Sequence, residues 1–149
     1  MQSTGPPNPH PLIIVTTGCS SGLGLRALLS LIQSGPPPAP FSGYLILLGI
    51  RQPLSQAAYQ EIHQARQANP RAYFEQIRLD LADLASVKAF AGHVGDKVAA
   101  CEGGKVDRLL LNAAAFGLEG EGVGGWTKEA VTNHFGRFRP AKDKSSHLD

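Results

Sequence analysis

Cysteine is nearly absent: Cys19 and Cys101 are the only two among 149 residues. A pair so far apart forms neither a disulfide framework nor a metal-ligand pattern, and both thiols are expected to be small packing residues. Charge of one sign is also lacking. Fourteen basic and twelve acidic residues leave a formal net charge of +2, which gives no basis for nucleic acid or an anionic membrane as partner. Long hydrophobic runs are missing too. The start, "MQSTGPPNPHPLIIV", has no basic n-region, and its apolar run is far shorter than a signal core or a membrane span. A cytoplasmic chain with no membrane partner is the expectation.

What is present is 42% apolar content, enough for one compact domain, and a regular alternation of short apolar runs with helical periods. Leu12 to Thr16 is a short apolar run. Gly22 to Ser34 then places Leu25, Leu28, Leu29 and Ile32 on one side of a helix. "GPPPAPFSG" cannot continue that helix and leads into "YLILLGI", the continuous apolar run of a strand buried on both faces of a parallel sheet. A second helix is expected over "PLSQAAYQEIHQARQAN", with Pro53 near its first turn and Asn69-Pro70 at its end. "AYFEQIRLDL" reads as strand three, and Asp83 as the N-cap of a third helix that runs to the Gly103-Gly104 break. "KVDRLLLNAAA" reads as strand four. A Gly-rich connection, "GLEGEGVGG", and a helical "WTKEAVTNHFGRF" follow. This order predicts an α/β fold, a Rossmann-like doubly wound parallel sheet of about four strands with flanking helices, incomplete at one edge. Residues 1–138 are expected to form the nucleotide-binding domain, and residues 139–149 a polar, disordered tail.

"TTGCSSGLG", Thr16 to Gly24, sits between the first strand and the first helix. In such a sheet this turn lies at the carboxyl edge, where the helix amino terminus offers unpaired N–H groups and partial positive charge to an anion. Gly18 would allow the tight turn, Gly22 the approach of a pyrophosphate to the backbone, and Gly24 the packing of helix on strand.

The same stretch resembles the short-chain dehydrogenase/reductase family, whose T-G-x-x-x-G-x-G motif is matched by Thr17, Gly18, Gly22 and Gly24. Ser20, Ser21 and Leu23 share that turn and are expected to touch the cofactor. Further marks follow in order. "LDL" resembles the family's aspartate after strand three, implying cofactor contacts for Asp80 and Leu81. "LNAAA" resembles its N-[NA]-[AG]-G motif, with Ala115 in place of glycine, and implies that Asn112 and Ala113 lie beside the cofactor ribose. "TNHFGRF" is similar to the family's N-[HV]-x-G-x-F segment, and implies that Asn133 holds a proton-relay water.

Cofactor choice turns on the end of strand two, "LLGIRQ". An acidic residue there would bond a ribose diol; Arg51 stands in that place instead, and a guanidinium can clamp a 2′-phosphate. NADP(H) is therefore the expected cofactor. The resemblance implies carbonyl reduction or alcohol oxidation on a small molecule, with a tyrosine as proton donor and a lysine four residues later. Tyr44, Tyr59 and Tyr73 are followed at that spacing by Leu48, His63 and Ile77, and all three precede strand four. The catalytic pair is absent from these residues. The chain thus reads as the cofactor-binding part of an oxidoreductase, C-terminally truncated and inactive as it stands. Two alternatives remain open: a short enzyme completed by oligomerisation or by a donor such as His134, and a non-catalytic NADP(H)-binding module that pairs with a partner through its open sheet edge.

Overall fold

The computed structural model describes residues 10–135. Its elements are β1 (Leu12–Thr17), α1 (Gly22–Gln33), β2 (Tyr44–Ile50), α2 (Gln56–Ala68), β3 (Ala72–Arg78), α3 (Leu84–Ala99), β4 (Arg108–Leu111) and α4 (Lys128–Ala130), which runs on into a π-helical turn over Val131–Phe135. The four strands form one parallel sheet in the order β3-β2-β1-β4. The expected doubly wound α/β architecture is present.

Alternation along the apolar strands explains the layering, because successive side chains point to opposite faces. Leu12 and Ile14 of β1, with Ile46 and Leu48 of β2, meet Leu25, Leu28, Leu29 and Ile32 of α1 and Ile62 of α2 on one face. Ile13, Val15 and Leu47 meet Val87, Phe90, Val94 and Val98 of α3 on the other. Each of these strands needed an apolar residue at every position, hence the unbroken runs.

Pro53 lies just before α2, near its first turn as expected, and Ser55 is the N-cap, its hydroxyl accepting a hydrogen bond from the Ala58 N–H at 3.2 Å. Two later elements depart from expectation. The fourth strand pairs over only four residues, Arg108 to Leu111, opposite Ile14 to Thr17. Asp107 sets that start, because its backbone N–H donates to the Ile13 carbonyl while its carboxylate accepts the Ile13 N–H at 2.9 Å. The last helix is three α-helical residues followed by the wider turn. Gly136 onward, including the proposed tail, lies outside the described residues.

β4 is an edge strand among the described residues, with Leu109 42% and Leu110 40% exposed. The apolar open edge foreseen from "LLLNAAAF" is therefore present. Elsewhere the sheet is tied to its helices by polar contacts. Glu75 of β3 accepts from Lys97 Nζ and His93 Nε2 of α3, each at 2.8 Å, and the Lys97 ammonium holds its carboxyl below the ordinary glutamate range. A lowered pKa adds stability above that range and loses it as pH falls through the folded value; at this half-exposed site the effect is well under ~1 kcal/mol.

Asn69, buried at the end of α2, donates both amide hydrogens, to the carbonyls of Ile32 at 3.0 Å and Gly35 at 2.8 Å, and so closes the carboxyl end of α1. Asn69→Ala should cost about 1–3 kcal/mol in urea unfolding, since two buried carbonyls lose their donor. Gly92 and Gly95 lie mid-α3, with open space where a Cβ would sit. Each Gly→Ala change there should stabilise by about 0.5–1 kcal/mol in the same measurement.

Candidate nucleotide-binding site

The site begins with a knot of backbone at the carboxyl ends of β1 and β4. Gly18 adopts φ +70°, and a Cβ on it would collide with the backbone of Asn112 and Ala113. Asn112 Nδ2 donates to the Gly18 carbonyl at 2.9 Å, and the Ala113 N–H donates to Thr17 Oγ1 at 3.3 Å. Gly24 lies beneath: a Cβ there would strike the Gly18 carbonyl and come within 2.7 Å of Asn112 Nδ2. Gly18 thus makes the turn, as expected, and also admits the end of β4. Gly24 packs its helix on that turn rather than on the strand proper.

Gly22 is different. Its φ is +55° and nothing lies within 4 Å of where its Cβ would be, so its backbone faces open space at the start of α1. The N-cap Ser21 makes no side-chain cap bond, and the first turn has no acidic residue. By contrast Ser55 caps α2 and Asp83 caps α3. Among these three helices, α1 alone presents a first turn without a side-chain cap, an arrangement that suits an anion.

A cleft of about 450 Å³ opens in front of this turn. β1 and its turn contribute Thr17, Gly18, Ser20 and Ser21; β2 contributes Gly49, Ile50 and Arg51; the segment after β3 contributes Leu79, Asp80 and Leu81; the segment after β4 contributes Asn112 to Ala115; and Thr132 closes the wall. Of the residues singled out in the sequence, Thr17, Gly18, Ser20, Ser21, Arg51, Asp80, Leu81, Asn112 and Ala113 therefore line one cavity. Gly22, Leu23 and Gly24 are not among its lining residues; Gly22 and Leu23 lie on the exposed first turn of α1, Leu23 being 87% exposed. Arg51 is exposed and has no hydrogen bond or ion pair with the described residues. Asp80 has a second duty: its Oδ1 accepts the Ala82 N–H at 3.0 Å, and its own N–H donates to Ser86 Oγ at 2.9 Å, which shapes the turn into α3.

Asn133 does not line the cleft. Its Oδ1 accepts the Ala115 N–H at 2.8 Å and its Nδ2 donates to the Ala115 carbonyl at 2.7 Å. Its side chain clamps the segment after β4. Thr132, beside it on the cleft wall, carried no signal in the sequence motifs.

Cys19 is buried in the core and shares a 2.7 Å hydrogen bond with Thr16 Oγ1. Burial pushes its thiol up, the Thr16 contact pulling the other way; Cys101 packs half-buried against α3's face of the sheet. The packing role expected for both is what the structure shows. Among the described residues no group of side chains could hold a metal ion, and no helix is long and apolar enough to cross a membrane.

An anion-receptive glycine turn at the carboxyl edge of a doubly wound parallel sheet, opening on one cleft, defines a Rossmann-type nucleotide-binding fold. Known proteins agree. No protein-family model matches the chain. A short-chain dehydrogenase/reductase of Pestalotiopsis microspora is 34% identical over 125 residues, which span 81% of this chain and 39% of that relative. Among solved structures, an NADPH-bound carbonyl reductase from chicken fatty liver superposes with a TM-score of 0.58 at 21% identity, over 89% of this chain and 47% of that one. A short-chain dehydrogenase from Sphingobium yanoikuyae in complex with NADPH gives 0.57 at 17% identity, over 87% and 45%. The chain is thus similar to a short-chain dehydrogenase/reductase over most of its own length, and it spans less than half the length of these relatives.

Two results are expected. In the native state Cys101 should react with a thiol reagent well before Cys19, which should be released only by denaturant. Gly22→Ala should keep the fold at a cost of about 1–2 kcal/mol for a left-handed alanine, whereas Gly18→Ala, forced against the Asn112–Ala113 backbone, should lower the urea midpoint much further.

Proposed function

We propose that this chain binds NADP(H) as the cofactor-binding part of a carbonyl-reducing or alcohol-oxidising enzyme, and that its 149 residues do not turn over alone. The observation that carries the reading is the uncapped, glycine-opened start of α1, whose N-cap Ser21 lines the same cleft as Arg51. The N–H groups of Gly22 to Gly24 would hold the pyrophosphate, with Ser20 and Ser21 beside them. Arg51 would clamp a 2′-phosphate, since no Asp or Glu stands at the end of β2 to accept a ribose diol instead. Asp80 and Leu81 would flank the base, Asn112 and Ala113 the ribose, and Leu23 would gain an apolar cover for its exposed side chain.

NADP(H), when bound, supplies or accepts a hydride at a carbonyl carbon. A proton must also move, and an unperturbed phenol near pKa 10 needs a neighbouring cation to serve as acid at neutral pH. No tyrosine follows Tyr73 in these residues, so the proton donor and its lysine have no candidate here. A chain that also carries the Tyr-x-x-x-Lys pair would have the remaining half of the chemistry.

NADPH should bind more tightly than NADH by about tenfold or more, as expected for a charge-assisted phosphate contact, and Arg51→Ala should remove that preference in a fluorescence titration. Equal affinities in the unaltered chain would contradict the 2′-phosphate assignment. Aldehyde or ketone reduction by the purified 149-residue protein would contradict the lack of turnover.

A further inference from the structure

We infer that Thr132 is a nucleotide contact, its hydroxyl forming a hydrogen bond to the adenosine half of the dinucleotide; this rests on the NADP(H) reading above. Thr132 lies in the π-helical turn that follows α4, on the wall of the cleft beside Ala113, Ala114 and Ala115. Its Oγ1 is shut off from solvent, yet it has no hydrogen-bond partner among the described residues. A threonine in a helix commonly bonds back to a carbonyl three or four residues earlier; this one does not. A buried hydroxyl left without a partner is costly, and native structures rarely keep one.

Its place is fixed from both sides. Val131, 1% exposed, fits against Gly122, where any Cβ would come within 2.6 Å of Val131 Cγ2. Asn133 on the other side has its amide donor and acceptor both engaged by Ala115. The turn is therefore pinned to the segment after β4; Thr132 lines the cavity with a hydroxyl that has no partner among the described residues, and a change of its χ1 rotamer would turn that hydroxyl to the ligand. Besides the glycine turn, that cavity includes Arg51 just after β2 and Asp80 and Leu81 after β3, the side assigned above to the base and the 2′-phosphate. A hydroxyl, able to donate and accept at once, suits a purine nitrogen or a ribose hydroxyl equally.

Thr132→Val and Thr132→Ser separate the hydroxyl from the shape of the side chain. Binding of adenosine 2′,5′-bisphosphate and of NADPH to the full 149-residue chain would be measured by calorimetry, with the melting temperature of the ligand-free protein alongside. Valine should weaken both ligands about three- to tenfold, the range of one neutral hydrogen bond. Serine should stay within about twofold of the unaltered chain, and the ligand-free valine variant should melt no lower than the original. Should valine not fold, Thr132→Ala gives the same comparison against serine. Unchanged affinity for the bisphosphate in the valine or alanine variant would overturn the contact and leave the NADP(H) reading standing. Failure of the unaltered chain to bind either ligand would overturn that reading and the contact with it.

Discussion

The hydrogen bond from Asn112 to the carbonyl of Gly18 is the constraint on which the site depends. It joins the end of β4 to the turn between β1 and α1, and it forms only because both Gly18 and Gly24 lack a Cβ. With the turn held there, α1 starts from an N-cap, Ser21, that lines the cleft and makes no side-chain cap bond to the helix. The cleft then collects contributions from four strand ends, since a parallel sheet delivers all its carboxyl ends to one edge. Fold and site are thus one arrangement seen at two scales.

The flanking packing follows the same economy. Buried on both faces, β1 and β2 hold α1 and α2 on one side and α3 on the other. The exception is β4, whose outer edge and leucines stay open among the described residues. The relatives are more than twice as long as the matched part, and the sheet of a complete relative has more chain with which to cover such an edge. An exposed apolar strand edge is a general liability for pairing or aggregation, and among the described residues β4 is such an edge.

Much of this was legible in the sequence, for physical reasons. Unbroken apolar runs at Leu12 and Tyr44 can be satisfied only by two-sided burial, and Asp83 and the glycines mark helix starts through local chemistry that needs no tertiary context. The motif spacing also located nine cleft-lining residues. Other features depended on long-range contacts and could not be read locally. The shortness of β4 follows from where Asp107 meets Ile13, 94 residues away. The Asn133 side chain is committed to Ala115, 18 residues earlier, a contact no local pattern announces. Thr132 is an ordinary helix residue by sequence; only the closing of its hydroxyl against the cleft wall distinguishes it.

The most direct measurement is a titration of the isotope-labelled 149-residue chain with NADPH, followed by amide NMR shifts. Saturable shifts should centre on Gly18 and Ser21 to Gly24, and extend to Arg51, Asp80 to Leu81 and Asn112 to Ala115, with the outer faces of α2 and α3 unmoved. Shifts confined to other surfaces, or none at millimolar NADPH in a chain that is demonstrably folded, would contradict the assignment of this cleft as the nucleotide site.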